Sequence, residues 1–269
     1  MANKQGIGLA LGGGAARGLA HIGVLQVLQG AGIEIKQIAG TSIGALIGAL
    51  FAAGVDLHRL EQVACALRLK HVVDFSFIPG RGGIIRGQKL RELLNTFLRG
   101  KTFADLKLPL AVVATDLWTG AEVVFTEGVV VEAVMASCAI PGVFVPINFK
   151  GRPLVDGGLV DRVPVRIAQK MGDAPTVAVD VGPSLRKGHF KSAAEVMIQA
   201  IDIMQEEIRR LKVSTTDVFI RPEVGYFPAI QLHKAAEIIQ RGREAAWQAL
   251  PEVERLVQKR TSLVKQKEF

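Results

Sequence analysis

Gly40-Thr41-Ser42-Ile43-Gly44 sets one serine out for nucleophilic chemistry. It lies between an apolar run, 33–39, and a run of small helix formers, 45–53. Strand, Gly-x-Ser-x-Gly and helix in that order is the context of a nucleophile elbow. The turn is so tight that side chains at Gly40 and Gly44 would strike neighbouring backbone. It holds the serine Oγ above a sheet, at the positive end of a helix. The chemistry such a serine serves is acyl transfer. The plain alternative is a glycine-rich turn capped by Ser42.

Upstream, Leu11-Gly12-Gly13-Gly14-Ala15-Ala16-Arg17-Gly18 again stands between a strand-like and a helix-like run. Such a turn leaves backbone N–H groups converging on one spot, where they can bind an anion. A dinucleotide-binding loop is the competitor, with Glu34 at a suitable distance for a ribose. Its G-x-G-x-x-G/A pattern fails from Gly12, where the sixth residue is Arg17, and from Gly13, where Ala15 replaces the second glycine. Beside a serine elbow, the amides of Gly13, Gly14, Ala15, Ala16 and Arg17 form a candidate oxyanion hole.

A serine nucleophile needs a base. Asp156 ends a short apolar run just before Gly157 and Gly158, but Asp116 and Asp180 also end strand-like runs, so position alone does not choose among them. The order Ser42, Asp156, then His189 or His233 leaves a Ser-Asp-His triad conceivable. Against it, His189 sits in a charged stretch, 186–191, that reads as an exposed loop, and His233 begins a run whose apolar pattern already accounts for it.

The elements that must position these residues alternate between strand and helix. Residues 6–11, 33–39, 108–115, 121–126 and 176–181 read as strands. Residues 57–69 and 87–98 carry helical periodicity. Over 192–212, Ala193, Val196, Met197, Ala200, Ile201, Met204, Ile208 and Leu211 share one helical face, which reads as a core stripe. Residues 231–257 read as helix interrupted near Gly242 and Pro251. This βαβ alternation predicts a three-layer α/β/α fold with a largely parallel central sheet and one domain over 1–269. Within it, the motifs occupy 6–182, a helical part 190–258, and a basic tail 259–269. Segment 75–85 mixes Phe75, Phe77 and Ile78 with Pro and Gly without a period. It reads as a loop on the core or an apolar flap beside an acyl cleft.

Composition narrows the class. The chain has 269 residues, 49% hydrophobic, with a net charge of +8 and a mean hydropathy of +0.30. No run reaches the roughly 18 apolar residues that span a bilayer, and the N-terminus lacks a signal-peptide core. Cys65 and Cys138 make neither a disulfide framework nor a metal spacing; the expectation is a reduced, cytoplasmic protein. One Tyr and two Trp offer no stacking surface for single-stranded nucleic acid. The basic charge is a solvated surface or an attraction to anionic phospholipid, worth on the order of 1 kcal/mol per well-placed Lys or Arg.

Together, Gly12–Gly18, Gly40–Gly44 and Asp156-Gly157-Gly158 resemble the patatin-like phospholipase family. The likeness is to compact bacterial members similar to the catalytic domain of neuropathy target esterase. Ala114-Thr115-Asp116-Leu117 and the run 136–144 are also similar to family segments. Two positions depart from the family pattern. The third glycine of Gly-Gly-Gly-x-Arg/Lys-Gly falls on Ala15, and Asp161 stands where relatives often carry Asn.

The resemblance implies that Ser42 is the nucleophile and Asp156 the base of a dyad without histidine. It implies hydrolysis of carboxylic esters of lipids, phospholipid or lysophospholipid first, with no metal and no organic cofactor. A thioesterase or general carboxylesterase using the same dyad is the enzyme alternative. A lipid-binding protein on an inactive hydrolase fold is the non-enzyme one. Arg17 is expected to brace the glycine loop or touch a head group, and His21 to pack or cap. The implied partners are a lipid or other acyl ester and, peripherally, an anionic membrane surface, not nucleic acid.

Overall fold

A computed structural model describes residues 6–74, 83–184, 193–212 and 216–265. In chain order the elements are β1 (Ile7–Leu11), α1 (Ala20–Gly30), β2 (Ile35–Thr41), α2 (Ile43–Ala52), α3 (Leu57–Ala66), α4 (Leu69–Val72), α5 (Gln88–Leu98), β3 (Leu110–Asp116), β4 (Glu122–Phe125), α6 (Val130–Ser137), β5 (Ile147–Phe149), β6 (Arg152–Asp156), α7 (Val165–Lys170), β7 (Thr176–Val179), α8 (Ala193–Lys212), β8 (Val218–Ile220) and α9 (Ala235–Lys265). All of the described strands join one sheet, in the order β5-β6-β3-β2-β1-β7-β8, with β4 paired to β3. From β3 to β8 that path is parallel, while β4, β5 and β6 join antiparallel. The fold is α/β with a parallel core and helices on both faces.

Side-chain alternation along the strands separates the two faces. Leu9, Leu11, Ile38, Val112, Val177 and Val179 enter the main core, against which α1, α2, α6 and α9 lie. The opposite face carries alanines in register across four parallel strands, Ala178, Ala10, Ala39 and Ala111. With so little side chain beneath it, α7 settles close on that row through Val165 and Ala168. The expected strands and the helices at 57–69 and 87–98 are present, with ends shifted by a few residues. The short β5 and β8, and helices α6 and α7, had no readable period.

One junction in the sheet positions the chemistry. β2 runs parallel to β3 from Leu110 to Val113, so its C-terminal Thr41 stands opposite Val113. β6 runs antiparallel to β3 from Asp116 back to Ala114, so its C-terminal Asp156 stands opposite Ala114. β4 occupies the other edge of β3 along 112–115. Both strands therefore use the same edge and arrive end to end, one from each direction.

Two expectations are corrected. The apolar stripe of α8 is not core: Val196, Met197, Met204 and Leu211 are exposed. The helix instead turns Glu206 and Arg209 inward to the buried Arg162 and Asp180. Those charges lie at the end of the sheet, and leaving them unpaired would cost more than exposing a few apolar side chains. α9 also runs unbroken through Gly242 and Pro251. A side chain at Gly242 would collide with the Ala20 carbonyl, and one at Gly23 with the Ile239 carbonyl. These glycines let α1 and α9 cross closely; they do not end a helix. Pro251 removes one amide donor, and Ala246, Leu250 and Val253 bury the helix on either side of it.

Candidate active site

Ser42 sits between β2 and α2 with φ 54° and ψ −124°, a left-handed backbone that a residue with a side chain rarely adopts. A Cβ at Gly40 would lie 2.6 Å from the Cα of Ala45, and one at Gly44 would collide with the Leu11 carbonyl. Both elbow glycines are thus required by close backbone approach. The Ser42 Oγ donates to Asp156 Oδ2 at 2.6 Å. The other carboxylate oxygen, Oδ1, accepts the Gly158 amide at 2.7 Å. A side chain at Gly157 would strike the Val113 carbonyl, so this glycine lets the end of β6 close up to β3.

Burial pushes the Asp156 carboxyl from its usual 3.8 to about 6, against the hydrogen bonds from Ser42 and the Gly158 amide, which pull it down. Burial also drives the neighbouring Cys138 thiol far above its ordinary range, with the Asp156 charge adding to it. Cys138 is therefore a neutral thiol beside the pair. Among the described residues no group of His, Cys, Asp and Glu is arranged to hold a metal ion.

Ser137, at the end of α6, has no elbow of its own and reads in sequence as structural. Its Oγ accepts the Ser42 amide at 2.7 Å and donates to the Val113 carbonyl at 2.5 Å. Val113 is the last residue of β3 opposite β2, and β6 begins opposite the next residue, Ala114. The Ser137 hydroxyl therefore bonds to the strand at the junction of the two. Nothing local in the sequence signals this, because Ser137 and Ser42 meet only through the tertiary fold.

Of the five amides singled out in the glycine loop, three are occupied. Gly13 N donates to Arg162 O at 2.9 Å, Ala16 N to Ala229 O at 3.0 Å, and Arg17 N to Gly14 O at 3.2 Å. The amides of Gly14 and Ala15 have no such acceptor among the described residues, and neither does that of Ile43, which follows Ser42 at the start of α2. Ala15 has φ 50°, which accounts for a glycine at this position in the family pattern. Arg17 Nε also donates to Gly14 O at 3.0 Å, so its guanidinium braces the loop. Gly18 is held against Ile43, where a side chain would collide, and Gly12 N donates to Val179 O at 2.9 Å. Behind the loop, His21 is fully buried, and burial lowers its pKa to about 4. Its Nε2 lies 2.8 Å from Gly12 O; a carbonyl only accepts, so Nε2 carries the proton.

The rival bases are elsewhere. Asp116 caps the turn after β3, accepting the Trp118 amide at 2.9 Å. Asp180 pairs with Arg162 at 3.1 Å. The second carboxylate in that ionic cluster, Glu206, is held down at about 2, first by the hydrogen bond from Arg209. His233 lies in a short 3-10 turn before α9 and is absent from the wall of the cavity at Ser42. His189, residues 75–82 of the segment expected to be a loop or a flap, and the last four residues of the basic tail, 266–269, lie outside the described residues. At the described end of that segment, the Ile84 and Ile85 amides donate to the Val143 carbonyl.

Ser42, Asp156, Gly14 and Ala15 all open onto one cavity of about 320 Å³. Its wall is almost wholly apolar, with Arg17, Asp202 and Gln205 as its polar exceptions beyond the pair itself. An apolar space beside a strained serine hydrogen-bonded to a carboxylate suits acyl transfer from an apolar ester.

Comparison with known proteins agrees. The family model for patatin-like phospholipase matches residues 9–168. An uncharacterized NTE family protein of Mycobacterium tuberculosis is 37% identical over 184 residues, a match covering 66% of this chain and 49% of that protein. Patatin-like phospholipase domain-containing protein 6 of Homo sapiens is 35% identical over 184 residues, covering 65% of this chain and 13% of its own length. The crystal structure of VipD from Legionella pneumophila superposes with a TM-score of 0.65 at 16% identity, over 95% of this chain and 67% of that one. That last likeness is one of fold. The family model, by contrast, spans more than half of the chain, residues 9–168, and includes both Ser42 and Asp156; the chain belongs to the patatin-like phospholipase family.

Proposed function

We propose that this protein is a serine acyl hydrolase acting on carboxylic esters of lipids, as a single patatin-like unit. Ser42 is the nucleophile, Asp156 the base, and the amides of Gly14 and Ala15, which have no acceptor among the described residues, the oxyanion hole, with Ile43 beside them. The observation that carries the reading is the 2.6 Å bond from Ser42 Oγ to Asp156 Oδ2 at a left-handed elbow.

The chemistry follows from the geometry. Ser42 Oγ attacks the ester carbonyl carbon while its proton passes to Asp156. The oxyanion meets preorganised amides at the positive end of α2, a kind of stabilisation commonly worth about 3 to 4 kcal/mol per donor. The bond to the alcohol breaks, and Asp156 returns the proton to the departing alkoxide. Water then attacks acyl-Ser42, giving its proton to Asp156, and the acid leaves as Ser42 regains a proton. An ordinary Asp is a weak base at neutral pH; burial to about 6 brings this one nearer its working range.

Labelling with a fluorophosphonate and turnover across p-nitrophenyl esters, lysophospholipids, phospholipids and acyl-CoA test this reading. Ser42→Ala should abolish labelling and cut turnover by about a thousandfold or more. Undiminished hydrolysis by folded Ser42→Ala would remove the assignment. Highest turnover on acyl-CoA would favour the thioesterase reading.

Contact with a lipid surface is supported by α8. Its exposed Val196, Met197 and Met204 share a helix with Ile201 and Gln205, which line the cavity. No described helix is long and apolar enough to cross a membrane. Flotation with anionic vesicles should be weakened by Met197→Ser/Met204→Ser; equal flotation would rule this surface out.

A further inference from the structure

Arg162 is a buried charge that the dyad does not use. Only 1% exposed, it meets Asp180 at 3.1 Å and Glu206 at 2.8 Å through one nitrogen, Nη2. Its buried Nε and Nη1 have no acceptor among the described residues. Arg209, Arg210 and Arg221 also face these two carboxylates. A buried cluster so incompletely paired adds little stability compared with apolar residues of similar volume. Its place in the fold supplies another reason for it.

The backbone at Arg162 holds both loops of the site. Thr41 Oγ1, one residue before the nucleophile, donates to the Asp161 carbonyl at 2.8 Å. Gly13 N, one residue before Gly14, donates to the Arg162 carbonyl at 2.9 Å. The acid that Arg162 meets stands behind the same glycine loop. Asp180 accepts the Gly182 amide at 2.9 Å, which closes the turn after β7. Inside that turn the Val181 carbonyl lies so near Gly14 that a side chain on Gly14 would strike it. Gly182 in turn admits the guanidinium, since a Cβ there would fall 2.5 Å from Arg162 Cζ. The glycine loop thus bonds to the peptide of Arg162 at Gly13, and at Gly14 abuts the turn that Arg162 pairs with. Glu206 fixes the guanidinium from a third element, α8.

Amides stabilise an oxyanion only when aimed at the place where it forms. We infer that Arg162 is a positioning residue for the oxyanion hole. Paired with Asp180 and Glu206, its guanidinium clamps Gly13 and the turn against Gly14, and so aims the amides of Gly14 and Ala15. Arg162 touches no reacting atom. The inference rests on the hydrolase reading and adds to it a part that lies outside the glycine loop, the elbow and Asp156-Gly157-Gly158.

Two measurements on the full chain test it. One is kcat and KM for p-nitrophenyl butyrate. The other is inhibition by octyl trifluoromethyl ketone, whose adduct with a serine is a tetrahedral oxyanion. Arg162→Met should lower kcat by about tenfold or more with KM nearly constant, and raise the inhibition constant in proportion. Arg162→Lys keeps the charge without the planar fork and should recover part of both. Gly182→Ala keeps every charge and displaces only the guanidinium. It should show the same pattern, with kcat reduced by about threefold or more.

A folded Arg162→Met protein with unaltered kcat and unaltered inhibition overturns the inference. A loss confined to KM or to thermal stability does so too, since a merely structural role would produce it. Where Arg162→Met does not fold, Gly182→Ala decides by the same criteria. Absence of Ser42-dependent turnover in the wild type overturns the hydrolase reading and this inference with it. Ser42-dependent turnover indifferent to these variants overturns the inference alone.

Discussion

The amide of Ser42 donates to Ser137 Oγ at 2.7 Å, so the strained backbone of the elbow is pinned from outside its own turn. The same hydroxyl donates to Val113 O, tying the elbow to the strand on which β2 and β6 meet. Ser137 touches no reacting atom and is a positioning residue.

Ser137→Ala leaves the Ser42 amide and the Val113 carbonyl buried without partners, a loss of about 1 to 3 kcal/mol in stability. A nucleophile displaced by about 1 Å loses up to about a hundredfold in rate. We expect kcat to fall tenfold or more with KM nearly constant, and Ser137→Thr to recover part of it. A folded Ser137→Ala enzyme with unaltered kcat would show that the hydroxyl serves packing alone.

Asp156 must be ionised to take the serine proton. With its value near 6, kcat/KM should be level above pH 7 and fall about tenfold per unit well below pH 6. The same limb should be present in His233→Ala, whose activity should stay close to that of the wild type. Disappearance of the limb, or collapse of activity, in that variant would point to a histidine base.

Stability should move in the opposite sense to activity at Asp156. Its folded value lies above the unfolded one, so native structure favours the neutral acid. That contribution is complete below the unfolded value of 3.8 and is lost as pH rises through about 6. At pH 8 the buried charge costs about 3 kcal/mol, since raising a carboxyl from 3.8 to about 6 disfavours its charged form by about 1.4 kcal/mol per pH unit. Asp156→Asn should therefore lose nearly all activity yet unfold at a higher temperature at pH 8, with the gain shrinking towards pH 4. Denaturation curves at both pH values decide this; an equal gain at both would contradict the buried-charge account.

Ala15 holds a left-handed backbone, φ 50°, at a cost of about 1 to 2 kcal/mol for a residue with a Cβ. Ala15→Gly removes that strain and adds about 0.5 to 1 kcal/mol of unfolded-chain entropy. A net gain of up to about 1 kcal/mol in urea denaturation is expected, with hydrolysis retained. A clear loss of stability would mean that the Ala15 methyl contributes more by packing than its backbone loses.

Both members of the proposed dyad, the elbow glycines and the α/β alternation were legible in the amino-acid sequence. They are written in short-range chemistry: Gly40 and Gly44 where backbone must come close, apolar runs of strand length, and a serine between them. The choice of Asp156 over Asp116 and Asp180 was legible only through resemblance, since all three end strand-like runs. Register on β3 decides it physically, because β2 and β6 finish at adjacent residues of the same edge. The role of Ser137, the two loop amides without an acceptor among the described residues and the outward turn of the α8 stripe were fixed only in three dimensions. A helical stripe records that a face is apolar. Whether it meets another helix, solvent or a cavity depends on where distant charges such as Arg162 and Asp180 must be paired, and on how far apart the sheet holds its neighbours.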